Sequence, residues 1–279
     1  MGGNAINISR PITLEEAQEV IGYLDLVIFP RLGIYTSNYS VLGSYGKKLP
    51  GQTYGDIDIA VYLNDAIQED QEIPFLVDSL EYNGYSTKVN HGFKIVSFAC
   101  PIYTRDFKNS EGFAQIDLMI SPSLEWSNFI YHSPNFRKNE SKYKGLYRNI
   151  LLMALITEPQ KWIVKETSDG GIEEIEVNIL RYPKGIYRVR KNFMGKKGLV
   201  KNGKNVPGSE EFITNEPSEI IQMTVGGKYR IHDIDTFEKL WGIVMSPGFK
   251  WINKREDIIK RFVECLNEQK LSIPEEVSW

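Results

Sequence analysis

The sequence predicts an α/β chain of the α+β kind, with a mixed sheet and flanking helices in its N-terminal half and a β-hairpin-then-helix C-terminal half. Three observations point there. Apolar strands with a side-chain period of two alternate with helical-period segments as far as Ile156. Beyond Pro159 the chain turns to β-branched runs around the hairpin signal Ser168-Asp169-Gly170-Gly171. The last third ends in two segments of helical period. The composition change divides the chain into residues 1–158 and 159–279.

The elements follow in order. Thr13, with Glu16 three residues later, forms a capping box that opens a helix expected to run to about Phe29 and to stop at Pro30. A strand is expected around Tyr39 to Gly43, then a Gly- and Lys-rich loop from Ser44 to Gly55, then a strand from Asp56 to Leu63. Phe75 to Tyr82 reads as a helix with Gly84 beyond its end. Two β-rich runs follow, Phe93 to Ile102 and Phe113 to Ile120, joined by a polar link with Asp106, Asn109 and Gly112. Helical period marks Leu124 to Tyr131 and Lys142 to Ile156, the latter with Tyr143, Tyr147 and Leu151 at i, i+4 and i+8. In the second half, strands are expected over Trp162 to Thr167 and Ile172 to Ile179, and a second hairpin over Arg181 to Lys204. Helices are expected over Thr236 to Met245 and Arg255 to Gln269.

Composition excludes several classes. The 279 residues are 42% hydrophobic and 25% charged, which fits a globular chain and not a disordered or collagen-like one. Lys plus Arg total 33 against 36 Asp plus Glu, a formal charge of −3, so the chain as a whole is no basic nucleic-acid coat. Cys100 and Cys265 are too few for a disulfide framework or a thiolate zinc site and read as reduced cytosolic thiols. Apolar runs such as Tyr23 to Phe29 and Ile150 to Ile156 fall short of the roughly 20 residues of a membrane span, and no leader is apparent. The expected location is the cytoplasm.

The chemistry is concentrated between Val41 and Val61. In a strand, Asp56 and Asp58 project from one face while Ile57, Ile59 and Val61 face the other. Two carboxylates one pleat repeat apart repel each other, and a divalent cation between them relieves that repulsion directly. In Gln115-Ile116-Asp117-Leu118-Met119-Ile120, Asp117 shares a face with Gln115 and Met119. If the two strands are neighbours, three carboxylates converge on one side of a sheet that is aliphatic on the other. Such an all-oxygen set selects Mg²⁺ or Mn²⁺, two ions in an in-line phosphoryl-transfer site. The preceding loop supplies the complement. Gly43 and Ser44 allow close backbone approach to a phosphate, and Lys47 and Lys48 add positive charge for the β- and γ-phosphates of a nucleoside triphosphate (NTP).

Gly-Ser, a basic loop, Asp-x-Asp about twelve residues after Ser44, and a later lone Asp on an apolar strand resemble the DNA polymerase beta-like nucleotidyltransferase superfamily. The loop spacing and the form Gly-Ser-Tyr-x-Lys are similar to its archaeal CCA-adding and poly(A)-polymerase branch, and the run after Gln115 is similar to phage-encoded members, for which the location would be the host cytoplasm. The resemblance covers about Val41 to Ile120. It implies a palm-like core, two divalent ions on Asp56, Asp58 and Asp117, and transfer of a nucleoside monophosphate with release of pyrophosphate. Asp117 would bind the acceptor-side ion and help take the proton of the attacking hydroxyl. Helix-hairpin-helix glycine motifs of the templated polymerases are not found, which disfavours a templated DNA polymerase.

From Arg181 to Lys204 the sequence is basic, with Arg188, Arg190, Lys191, Lys196, Lys197 and Lys201 interleaved with Tyr182, Tyr187 and Phe193. That stretch is the candidate RNA-binding surface, and RNA the expected acceptor; a solvated hairpin balanced by acid is the alternative. Transfer to a small molecule or a protein hydroxyl is a second reading, and a non-catalytic nucleotide or nucleic-acid binding module a third. Lys138, Lys142 and Arg148 are candidates to contact triphosphate or acceptor phosphate but read mostly as a solvated helix face, and Tyr143 and Tyr147 as core more than as a stacking platform.

Overall fold

A computed structural model describes residues 5–63, 67–103, 110–166, 172–182, 184–193 and 203–277. The chain forms two compact units, Met1–Lys142 and Tyr143–Trp279, so the structural division falls ahead of the composition change at Pro159.

In the first unit, Thr13 caps α1 (Leu14–Tyr23) through the expected box: its hydroxyl accepts from the Glu16 N–H and the Glu16 carboxylate accepts from the Thr13 N–H. The helix does not stop at Pro30. It passes through a π-helical turn (Leu24–Ile28) into α2 (Phe29–Arg31), with Pro30 in its first turn. The wider π turn lets the chain accommodate a proline that would otherwise clash with a carbonyl four residues back. A short strand β1 (Tyr39–Val41) leads into the glycine loop, and β2 (Ile57–Val61) leaves it. Helix α3 (Glu72–Tyr82) begins ahead of the expected Phe75, and β3 (Thr87–Asn90), not anticipated, follows. Strands β4 (Ile95–Tyr103) and β5 (Ser110–Ile120) form a hairpin, and Ser123 caps α4 (Leu124–Ile130). Of the link between β4 and β5, Asp106 and Asn109 lie outside the described residues.

The sheet order is β1-β2-β5-β4-β3, and β2 and β5 run parallel while the other pairs are antiparallel, which makes it a mixed sheet. One face is the main core: Ile57, Ile59 and Val61 of β2 and Ile116, Leu118 and Ile120 of β5 are buried with Val20 and Leu24 of the first helical segment and Leu76 and Leu80 of α3. A separate small cluster is formed by Leu42, Ala60 and Met119, flanked by Leu124 of α4. Asp58 and Asp117 precede Ala60 and Met119 on the same face by one pleat repeat.

In the second unit, α5 (Gly145–Thr157) is apolar nearly all round and packs on β7 and on the C-terminal helices. A second five-stranded sheet, order β10-β8-β7-β6 with β9 on β8, comprises β6 (Lys161–Glu166), β7 (Ile172–Arg181), β8 (Gly185–Asn192), β9 (Lys204–Asn205) and β10 (Glu211–Thr214). Strand β10 and helix α6 (Pro217–Thr224) were not expected from the sequence; α7 (Phe237–Met245) and α8 (Arg255–Glu268) were. The hairpin turn at Ser168-Asp169-Gly170-Gly171 lies outside the described residues. Tyr143 and Tyr147 pack against Phe237, with ring centroids 5.0 and 6.3 Å away, in an aromatic cluster that includes Trp241 and Phe262.

Candidate metal centre

The parallel pairing of β2 with β5 sets Asp58 directly beside Asp117. Asp56 stands one pleat repeat before Asp58, and one carboxylate oxygen from each of the three lies within 4.8 Å of the others. At that separation two unit charges repel by about 3–4 kcal/mol at an effective dielectric of about 20. Burial pushes the Asp58 carboxyl up to about 7, with Asp56 and then Asp117 adding to the rise. Burial also raises Asp117, against the hydrogen bonds from Ser97 and Gln115 that favour its ionised form. Such a set is costly when empty of positive charge. Its all-carboxylate chemistry suits a hard divalent cation, so the residues present fit Mg²⁺ or Mn²⁺.

Two residues that the sequence did not single out orient Asp117. Gln115 donates to its carboxylate at 2.9 Å, while the Gln115 side-chain oxygen accepts from the backbone N–H groups of Ala5 and Ile6 at 2.9 and 3.2 Å. Ser97, opposite Asp117 on β4, hydrogen-bonds it as well. The N-terminal segment that restrains Gln115 is tied to the sheet by Arg10 N–H to Phe113 and by a two-bond bridge between Ile12 and Tyr54. Tyr54 immediately precedes Gly55 and Asp56, so the same strap fixes the entry to β2.

The loop between β1 and β2 starts against the carboxylates. The Leu42 N–H donates to the Asp58 carbonyl at 2.8 Å, and Gly43 then takes φ +63°. A Cβ at Gly43 would stand 2.8 Å from an Asp58 carboxylate oxygen, so both conformation and space require glycine. Ser44 opens a turn closed by Lys47 N–H to the Ser44 carbonyl at 2.9 Å. The Lys47 ammonium is drawn below its usual range by burial, offset by Glu140. Lys48 is engaged locally: its ammonium donates to the Thr53 carbonyl at 2.7 Å and lies over the Tyr54 ring at 4.8 Å. Arg137 clamps the loop from a distant part of the chain, its guanidinium donating to the Lys48 carbonyl at 2.8 Å and its backbone N–H to Lys47 at 3.3 Å. No sequence signal marked Arg137, because its role depends on a contact 89 residues away.

The sequence-predicted basic surface differs from its expectation. Arg188 pairs with Glu176 at 3.7 Å and Glu211 at 3.4 Å, and Arg190 with Glu176 at 3.4 Å and Glu174 at 4.0 Å. The cross-strand register places Arg190 opposite Glu176, and Arg188 opposite both Asn178 and Glu211, so the charges are compensated within the sheet. Lys191 is half-buried on the opposite face, lowered by desolvation and by Arg261 and Arg181. Lys196, Lys197 and Lys201 lie outside the described residues. Arg148 is not on a solvated face: it is wholly buried, donating to the Ile234 carbonyl at 3.0 Å and to Asn149 at 2.9 Å. Among the described residues no helix is long and apolar enough to cross a membrane.

Compared with protein-family models and with curated proteins, the chain matches none.

Proposed function

We propose that the first unit is the catalytic domain of a divalent-metal-dependent nucleotidyltransferase of the polymerase-beta-like kind, which transfers a nucleoside monophosphate from an NTP to an acceptor hydroxyl and releases pyrophosphate. One observation carries the reading: Asp58 and Asp117 from two parallel neighbouring strands, and Asp56 immediately before the first, meet beside a glycine whose missing side chain leaves room at Asp58. Asp56, Asp58 and Asp117 would hold the ions. Bound Mg²⁺ or Mn²⁺ supplies charge neutralisation at the phosphoryl oxygens and acidifies the acceptor hydroxyl. The chain's own part is to present the triphosphate with the N–H groups and hydroxyl of Gly43 and Ser44 and the ammonium of Lys47, on a loop that Arg137 restrains. Asp117, held by Gln115 and Ser97, would accept the proton leaving the acceptor oxygen.

The lead acceptor is the 3′ hydroxyl of RNA. The ion-paired state of Arg188 and Arg190 favours a second reading, transfer to a small molecule or a protein hydroxyl, because those two arginines no longer argue for a polyanion. Incubation with each labelled NTP, Mg²⁺ or Mn²⁺, and a cellular extract decides between them. Label on RNA supports the first reading, and label on protein or a small molecule the second. No label on any acceptor, or equal label with Asp117→Asn, overturns nucleotidyl transfer by this site.

A further inference from the structure

We propose that the second unit binds single-stranded nucleic acid on two apposed loops, residues 225–230 and 246–254, with Arg255 at the start of α8, and not on the ion-paired hairpin. The first loop, Val225-Gly226-Gly227-Lys228-Tyr229-Arg230, leaves the C-terminus of α6 through Gly226 at φ +108°. The second, Ser246-Pro247-Gly248-Phe249-Lys250-Trp251, leaves α7. They lie side by side: a Cβ on Gly248 would sit 3.8 Å from the Lys228 ammonium. Lys250 and Trp251 also reach back to the end of α6, Lys250 donating to the Gln222 and Met223 carbonyls at 2.8 and 3.3 Å and the Trp251 indole N–H to Met223 at 3.2 Å.

Charge distinguishes this surface from the hairpin. Arg181, Arg188 and Arg190 each have a carboxylate partner. Lys228, Arg230 and Lys250 are exposed, Arg255 is half-buried, and among the described residues none of the four charged side-chain groups has a carboxylate oxygen within 4.0 Å. Asp233 accepts from the Arg230 N–H and lies 3.3 Å from His232, and Asp257 lies 3.8 Å from Lys254. Two aromatic rings stand among these cations, Tyr229 with the Lys228 ammonium 5.0 Å from its centroid and Trp251 with that of Lys250 at 4.9 Å, both half-buried. Cations whose side-chain partners are backbone carbonyls and not carboxylates, interleaved with partly exposed rings for bases, match an unpaired strand; a duplex hides the base faces such rings would stack on.

The test is binding, so it stands apart from nucleotidyl transfer and runs equally on the Asp117→Asn protein. Anisotropy of a fluorescein-labelled (rU)15 is followed with the full chain from 50 to 200 mM salt. The double variant Lys228→Glu/Arg230→Glu, neither residue being placed in the catalytic machinery, is expected to weaken binding more than tenfold at low salt and to flatten the log–log salt slope by about 1.4 for two lost contacts. Trp251→Phe should lower the affinity less and leave the slope unchanged. Arg188→Glu/Arg190→Glu should change neither. The proposal is overturned if wild type does not bind (rU)15 at 50 mM salt, if Lys228→Glu/Arg230→Glu binds as wild type, if the Arg188/Arg190 variant loses binding equally, or if an abasic oligomer of the same length binds as tightly. Circular dichroism of each variant separates loss of binding from loss of fold.

Discussion

Replacing Asp58 by Asn should make the metal-free protein more stable at neutral and alkaline pH while removing its response to divalent cations. The Asp58 carboxyl lies at about 7 in the fold against an ordinary value of 3.8, because burial first, and Asp56 and Asp117 next, penalise its ionised form. A carboxyl raised on folding costs nothing below its unfolded value; between pH 3.8 and about 7 the folded state progressively loses stability, and above 7 the loss is complete. Three units at 1.36 kcal/mol each set a ceiling of about 4 kcal/mol, shared with the two neighbouring carboxylates. Asn keeps the shape and cannot ionise. Urea unfolding in EDTA at pH 8 and pH 4.5 measures the gap: Asp58→Asn is expected to lead by up to about 4 kcal/mol at pH 8 and by no more than about 1 kcal/mol at pH 4.5. Saturating Mn²⁺, at about a hundred times its Kd, should stabilise wild type by about 2.7 kcal/mol and leave the variant unmoved. An Asp58→Asn protein less stable than wild type at pH 8, or a gap independent of pH, would refute the crowded-carboxylate account.

Other consequences are as direct. Gly43→Ala places a Cβ 2.8 Å from the Asp58 carboxylate at φ +63°, and should cost about 1–2 kcal/mol of stability and reduce transfer activity, read by thermal unfolding and NTP turnover. Arg137→Ala frees the loop that carries Lys47 and Lys48 and should raise KM for NTP more than it lowers kcat; Arg137→Lys should restore little, since a lysine has no Nε to reach the Lys48 carbonyl in the same geometry. Gln115→Ala removes the donor on Asp117 and the anchor of Ala5 and Ile6, and should lower kcat with little change in the KM for NTP. Thr13→Ala removes the capping box and should cost about 1 kcal/mol in urea unfolding without touching metal affinity.

What the sequence disclosed and what it withheld divide along physical lines. Period-two alternation in Asp56 to Val61 and Gln115 to Ile120 is local, and it identified both the faces and the three carboxylates that the sheet brings together. Pairing partners are not local. The alternation alone could not say that β2 and β5 are neighbours, nor that Glu174, Glu176 and Glu211 face Arg188 and Arg190, so the stretch read as a basic surface is largely a neutral ladder in its described part. Strand β3, half-polar and at a sheet edge, has little pattern of its own and is defined by its pairing with β4. Helix α6 opens on a proline and has only eight residues, too few for periodicity to stand out. Arg148 was unreadable for a different reason: a charged residue on an otherwise apolar helix looks solvated, and only the Ile234 carbonyl and Asn149 explain its burial.

The central claim is that Asp56, Asp58 and Asp117 form a divalent-cation site, and Mn²⁺ titration followed by electron paramagnetic resonance tests it most directly. Wild-type protein at pH 7.5 is predicted to take up Mn²⁺ with loss of the free-ion signal, and folded Asp117→Asn to lose most of that uptake. Equal uptake by the two proteins, or none by wild type, would contradict the account.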